Sequence, residues 1–184
     1  MLPGQLTPRV YESVVRLGTW RLSAPAAAAL PFLTGVTVSA ATVRRLPEGA
    51  GAADEAVPTA AVETLERELP PAPLGPRGQR LSGDGAMVPW PHGEWAAVQT
   101  LALGTVSAPV QERGAWVVHT AERSYCARLS AAEPFGRLAL VETHRRGTET
   151  AQTGCAVSDG AGWIQGVVDF HRPEAIRLLD FPHA

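Results

Sequence analysis

Between residues 70 and 76 the chain reads Pro-Pro-Ala-Pro-Leu-Gly-Pro, and no regular helix continues through such a stretch. Each proline lacks the backbone N–H that a helix needs, and its ring clashes with the preceding turn. The segment reads as a stiff spacer and as the best domain boundary in the 184 residues. Helical signals precede it, and alternating strand and helix signals follow it. The expected organisation is a helical head over 1–50, a helical connector with a proline-rich linker over 51–79, and a second domain over 80–184.

Composition narrows the class. With 45% hydrophobic and 18% charged residues the chain is globular rather than disordered. No apolar run reaches the roughly 18 residues of a membrane span. The opening residues lack the layout of a signal peptide, so a cytosolic protein is expected. Cys126 and Cys155 form no CxxC pair and have no metal-ligand spacing, which predicts free, buried thiols and no zinc site. Lysine and asparagine are absent, as codon bias in a GC-rich genome would produce. The net charge of −2 is unevenly spread. Residues 1–47 carry five arginines against the single acid Glu12, whereas residues 81–184 carry eight arginines against eleven acids. A basic head on an acidic body fits a polyanion-binding module beside a region able to hold cations.

Within the head, Thr7-Pro8 places a cap and a first-turn proline before Val10, Val14 and Leu17 at helical spacing. Gly18 is expected to end that helix, and Ser23 to cap an alanine-rich second one reaching Leu33. After the turn at Thr34–Thr37, Ser39 caps a third helix, with Val38 and Val43 placed as a hydrophobic staple. Helix, short turn and a capped helix bearing Arg44 and Arg45 form a helix-turn-helix-like layout, with those arginines as candidate DNA contacts. Pro31 and Pro47 are unfavourable for long regular helices here.

Beyond the spacer, strands are expected at 80–88, 95–106 and within 116–129, then a helix over 131–146. A short strand at 155–157 ends at Ser158-Asp159-Gly160. A helix at 163–170 and a buried strand at 175–179 follow, the latter ending at Asp180. The order βββ-α-β-α-β makes the fold α+β, with an incomplete RNase H-like domain after the helical head. Trp95 and Trp163 are read as core aromatics. Gly83-Asp84-Gly85 and Ser158-Asp159-Gly160 carry the candidate chemistry. In this strand order Asp84 and Asp159 fall on neighbouring strands and are candidate ligands of a Mg²⁺ or Mn²⁺ pair for phosphoryl transfer. Asp180 and His183 are accessory candidates for the metal shell or a phosphate. His144, Arg145 and Arg146 close a helix where basic residues suit its negative end, and backbone-phosphate contact is their alternative role.

Five segments carry a further resemblance: Leu-Ser-Gly-Asp-Gly-Ala-Met-Val-Pro (81–89), Gly-Glu-Trp-Ala-Ala-Val-Gln-Thr-Leu-Ala-Leu-Gly (93–104), Leu-Val-Glu-Thr-His-Arg-Arg-Gly (140–147), Val-Ser-Asp-Gly-Ala-Gly-Trp-Ile-Gln-Gly (157–166) and Leu-Leu-Asp-Phe-Pro-His-Ala (178–184). Together with Leu-Thr-Gly-Val-Thr-Val-Ser-Ala-Ala-Thr-Val-Arg-Arg-Leu (33–46), they resemble insertion-sequence transposases of the ISKra type. The chain departs from that pattern at Gly83 and Gly162. The resemblance implies a DDE enzyme that cuts at terminal inverted repeats and joins element ends to target DNA with a divalent metal, working as a homo-oligomer on nucleoid DNA. It makes Asp84 the first catalytic acid and Asp159 the second, with Asp180 and His183 in an accessory motif. The family's third acid lies on a later helix with no counterpart here. The expectation is therefore a truncated, inactive transposase with exposed apolar surface. A non-catalytic DNA-binding remnant and an unrelated metal-dependent nuclease are the alternatives.

Overall fold

The computed structural model describes residues 6–68, 70–89 and 93–180. The sequence also predicts a turn over Pro89–Gly93; its residues 90–92 and the motif residue His183 lie outside the described residues. The chain divides into two compact units, Met1–Val57 and Pro58–Ala184. No helix of the described residues is long and apolar enough to cross a membrane.

In the first unit, α1 (Pro8–Trp20) and α2 (Ser23–Thr34) pack with the N-terminal part of α3 (Ala40–Glu68). Their core is Val14, Ala26, Leu30, Val43 and Leu46, with Val38 packed against it as the staple requires. Thr7 Oγ1 accepts from the Val10 N–H at 3.4 Å, and Ser39 Oγ accepts from the Thr42 N–H at 3.1 Å. Ser23 is the first residue of α2 and makes no side-chain cap. Nor does Gly18 end α1, which runs on to Trp20. A Cβ at Gly18 would lie 2.6 Å from Pro47 Cγ and 2.8 Å from the Val43 carbonyl oxygen, so the glycine is a notch for α3. Pro31 sits inside α2, and Pro47 and Pro58 inside α3; α3 runs on as one long helix past Pro47, where the sequence made a long regular helix unfavourable. Packing of the Pro47 ring into the Gly18 notch offsets the backbone bond that proline removes.

The second unit is built on β1 (Gly78–Pro89), β2 (Trp95–Val106), β5 (Thr120–Leu129), β6 (Thr153–Ser158) and β7 (Ile176–Leu179). These form one mixed sheet in the order β5-β2-β1-β6-β7. The β1–β2 and β2–β5 pairs are antiparallel, and the β1–β6 and β6–β7 pairs are parallel. The architecture is α+β. A small hairpin of β3 (Val110–Glu112) and β4 (Ala115–Val117), absent from the sequence reading, turns on Arg113 and Gly114, both at positive φ. Both central residues of a type I′ turn take that conformation.

α4 (Ala132–Leu138) and α6 (Gly162–His171) cover one face of the sheet, with α5 (Leu140–Arg145) bonded to α6 through Thr143 and His171. The expected single helix over 131–146 breaks at Ala139 into α4 and α5. Leu81, Leu101, Leu103 and Cys126 point to Phe135, Ala139 and Val167. Burying each large aliphatic or aromatic side chain here contributes about 1.5–3 kcal/mol. A second cluster joins Ala156 to Ile164, Val168 and Ala175, with Trp163 packed against both clusters.

Side chains alternate across a strand, so the opposite face carries Arg80, Ser82, Asp84, Ala102, Tyr125, Val157 and Leu178. Tyr125, Leu129, Ile176 and Leu178 are exposed there. β7 is thus an exposed edge strand and not the buried one expected, because it pairs with β6 alone. Trp95, expected in the core, is 64% exposed because the β1–β2 hairpin extends past the covering helices. Of the two thiols, Cys126 is buried and Cys155 partly so, and both are free.

The proline segment does not hang free. Thr150 Oγ1 donates to the Pro73 carbonyl and accepts from the Gly75 N–H at 2.8 Å. The Gln152 N–H donates to the Pro76 carbonyl at 3.1 Å, which fastens the segment to the loop ahead of β6.

Candidate functional site

The parallel registers decide where the acids stand. Ser82 pairs with Val157, and Val157 with Leu178, so these three form one row across β1, β6 and β7. Two residues further along each strand come Asp84, Asp159 and Asp180. A step of two returns to the same face, so the three acids follow that row, Asp159 and Asp180 just past the ends of β6 and β7 and Asp84 within β1, beyond its last parallel pair with β6. They line one cleft of about 300 Å³ together with Ser82, Gly83, Val157 and Ser158. Open sheets hold ligands at this end of parallel strands.

Local chemistry holds the cleft in shape. Asp159 Oδ1 accepts from the Ala161 N–H at 2.9 Å, turning the chain into α6 and leaving Oδ2 free. Gly160, at φ 87, supplies the left-handed step. Ser158 works at the same corner: its carbonyl accepts from the Asp180 N–H at 2.7 Å and its Oγ from the Gly160 N–H at 3.3 Å. The sequence reading assigned Ser158 no role, although a serine two residues before a glycine is a turn signal. Asp84 is exposed and has no hydrogen-bond or ion-pair partner among the described residues.

The glycines beside Asp84 face the covering helices. A Cβ at Gly83 would lie 3.1 Å from Ile164 Cγ1 and Cγ2, and one at Gly85 would lie 2.8 Å from Gln99 Oε1. They bring α6 close to β1, which sets Asp159 beside Asp84. Gly83→Val is therefore expected to push Ile164 outward and cost about 1–3 kcal/mol, read as a lower urea midpoint. Wild-type stability in that variant would show that α6 does not pack there.

No family model matches the chain, and no curated protein matches it.

Oxygen donors alone line the acidic cleft, a set that suits a hard ion such as Mg²⁺ or Mn²⁺. Such an ion takes one or two carboxylates and keeps several waters, and the lining of this cleft is chemically compatible with one. The described residues contain no group of three His, Cys, Asp or Glu placed to share one ion, so Asp180 lines the cleft without completing a triad.

The basic candidates are distributed differently. Arg44 and Arg45 are exposed at the start of α3, and Arg44 pairs with Glu48 at 3.5 Å. His144, Arg145 and Arg146 are engaged within the second unit. His144 Nδ1 meets Glu149 Oε1 at 3.3 Å, and Arg145 donates to Glu142 at 2.8 Å, a bond that raises the arginine's pKa further. Arg146 Nη2 donates to the Glu122 carbonyl at 2.6 Å. All three have structural partners.

Proposed function

We propose that the chain carries a DNA-binding head and the phosphoryl-transfer core of an insertion-sequence transposase of the ISKra type. The observation that carries this is the convergence of Asp84, within β1, with Asp159 and Asp180, just past the ends of the parallel strands β6 and β7, in one cleft. The strand order, with the first strand central and a parallel neighbour bearing the second acid, supports an RNase H-like core. The three-helix head, with Ser39 capping the helix that exposes Arg44 and Arg45, supports a helix-turn-helix-like DNA contact.

In this role Asp84 and Asp159 would hold the divalent ion. When bound, the ion supplies activation of the attacking oxygen and stabilisation of the leaving one. Asp159 keeps one oxygen for it because the other is committed to the Ala161 N–H. Asp180, held through its backbone by Ser158, orients water or phosphate at the cleft's rim. A second reading, DNA binding without catalysis, rests on the exposed Arg44 and Arg45 of the head alone.

Mn²⁺ titration of the full chain separates the two. Paramagnetic broadening is expected at the amides of residues 82–84, 157–159 and 180, with Asp84→Asn weakening the ion roughly tenfold or more. No selective broadening would leave DNA binding alone. Duplex DNA that flanks the coding sequence is the probe. Arg44→Gln with Arg45→Gln should lower the salt slope of its binding by about 1.8, from two lost phosphate contacts. A slope unchanged from wild type would remove the head from DNA recognition.

A further inference from the structure

Beside the acidic cleft, on the same uncovered sheet face, lies a second groove of about 220 Å³ bounded by Arg80, Ser82, Gly104, Thr120, Arg123 and Tyr125. Ser82 lines both grooves. Along β1 the alternation Arg80, Ser82, Asp84 runs from one into the other, so a basic channel opens directly onto the acids. Neither Arg80 nor Arg123 is paired with a carboxylate among the described residues, whereas Arg137, Arg145, Arg172 and Arg177 of the same unit are.

The groove is a constructed feature. The β2–β5 register shifts between Leu103 and Thr105, and Glu122 opposite that shift takes φ 47, a conformation that non-glycine residues rarely adopt. Two bonds hold it there: Arg146 Nη2 to the Glu122 carbonyl at 2.6 Å, and Thr105 Oγ1 to Glu122 Oε2 at 2.9 Å. A bulge re-aims the side chain next to it, and here that residue is Arg123. Gly104 leaves the space. A Cβ on it would lie 2.4 Å from Thr120 Cγ2 and 3.4 Å from Arg123 Cγ. Tyr125, 64% exposed, stands at the same groove with its ring open to solvent. Two unpaired guanidinium groups, two hydroxyls and an open aromatic ring match a single nucleic-acid strand: arginines for phosphates, a ring for a base.

We propose that this groove binds the backbone of a single DNA strand and feeds it along β1 toward Asp84 and Asp159. The direction of the strand rests on the phosphoryl-transfer reading of the cleft; binding to the groove does not. Fluorescence anisotropy of the full chain with a short single-stranded DNA oligonucleotide, in chelator, tests it without any activity. Arg123→Gln and Arg80→Gln together should reduce the salt slope by about 1.4, because a single strand gives about 0.7 per phosphate contact. Arg123→Gln alone, at an exposed side chain, should remove about half of that. Tyr125→Ala should weaken binding roughly fivefold or more with the slope intact, as lost stacking does. Asp84→Asn should bind at least as tightly as wild type, since it removes a negative charge from the strand's path. Such a pattern would stand even if the cleft proved not to transfer phosphoryl groups. Wild-type affinity and slope in both arginine variants would overturn the proposal, and so would an equal loss in Asp84→Asn.

Discussion

Gly147→Ala is expected to destabilise the second unit by about 2–5 kcal/mol, a large part of the 5–15 kcal/mol that holds an ordinary domain folded. Two effects add. Gly147 has φ 61 and ψ 39, a left-handed conformation that costs an L-residue about 1–2 kcal/mol. A Cβ there would also lie 2.6 Å from Gly75 Cα, 2.7 Å from Gly75 N and 2.8 Å from the Pro73 carbonyl oxygen. Those are backbone atoms of a proline-stiffened segment, so no side chain can swing away, and overpacking of this kind costs about 1–3 kcal/mol. The collision is mutual: a Cβ on Gly75 would lie 2.1 Å from the Gly147 carbonyl oxygen and 2.5 Å from Ala151 N. Urea unfolding should show a midpoint lower by at least about 0.7 M, given a slope of 1–3 kcal/mol per M. Gly114→Ala is the control, since Gly114 has φ 85 with nothing within 4 Å of the added carbon. It should show the conformational cost alone. Equal losses in the two variants would mean that the proline segment is not packed against Gly147.

That contact also shows where sequence reading stops. Prolines 70, 71, 73 and 76 predict a stretch outside any helix, and residues 70–76 belong to no helix or strand. Whether it swings as a spacer or lies against a surface depends on Thr150, Gly147 and Gly75, which are far apart in sequence. The same holds for Gly18. A glycine near a helix end reads as a stop, while its role as a notch for Pro47 exists only once α3 has packed. Pro47 and Pro58 inside α3 are a tertiary override of a local preference. Short-range chemistry was more legible. The Thr7 and Ser39 caps, the Val38 staple and the turn at Gly35 all form as their spacing requires. The acids were legible because each stands among small residues in or just after an apolar strand, and strand alternation carried them to one face. Exposure was not: β7 has the composition of a buried strand, yet it lies at the sheet's edge. The bulge at Glu122 left no signal, because its cause is a cross-strand glycine and an arginine from another element.

Protonation of His171 is expected to be the strongest acid-sensitive feature of the fold above the carboxylate range. The ring is buried between α6, α5 and α4. Its Nε2 donates to the Gly136 carbonyl at 2.7 Å, so Nδ1 is the acceptor and takes the Thr143 hydroxyl proton at 3.0 Å. The neutral ring is thus fully bonded; a second proton, on Nδ1, would be accepted by Thr143 Oγ1 with its hydroxyl turned to the Leu140 carbonyl, so burial of the charge is what opposes protonation. Burial pushes the imidazolium's pKa below its ordinary 6.5, against smaller opposing effects from the Gly136 bond and Glu149. Below about pH 6.5 the unfolded chain takes up the proton and the folded one does not. Stability from this group is therefore complete above 6.5 and falls as the pH drops, by at most about 1.4 kcal/mol per unit. Glu66, whose pKa is lowered by its bond to Arg137, loses its contribution only as the pH falls below 4.5, so the two windows separate. His171→Leu should cost about 1–3 kcal/mol at pH 7.5 by stranding the Gly136 carbonyl, since Thr143 can turn its hydroxyl to the Leu140 carbonyl at 3.0 Å. The decisive readout is the slope: urea midpoints of the wild type should decline from pH 6.5 to pH 5, and those of His171→Leu should stay level. Parallel declines in both proteins would assign the acid sensitivity to other groups.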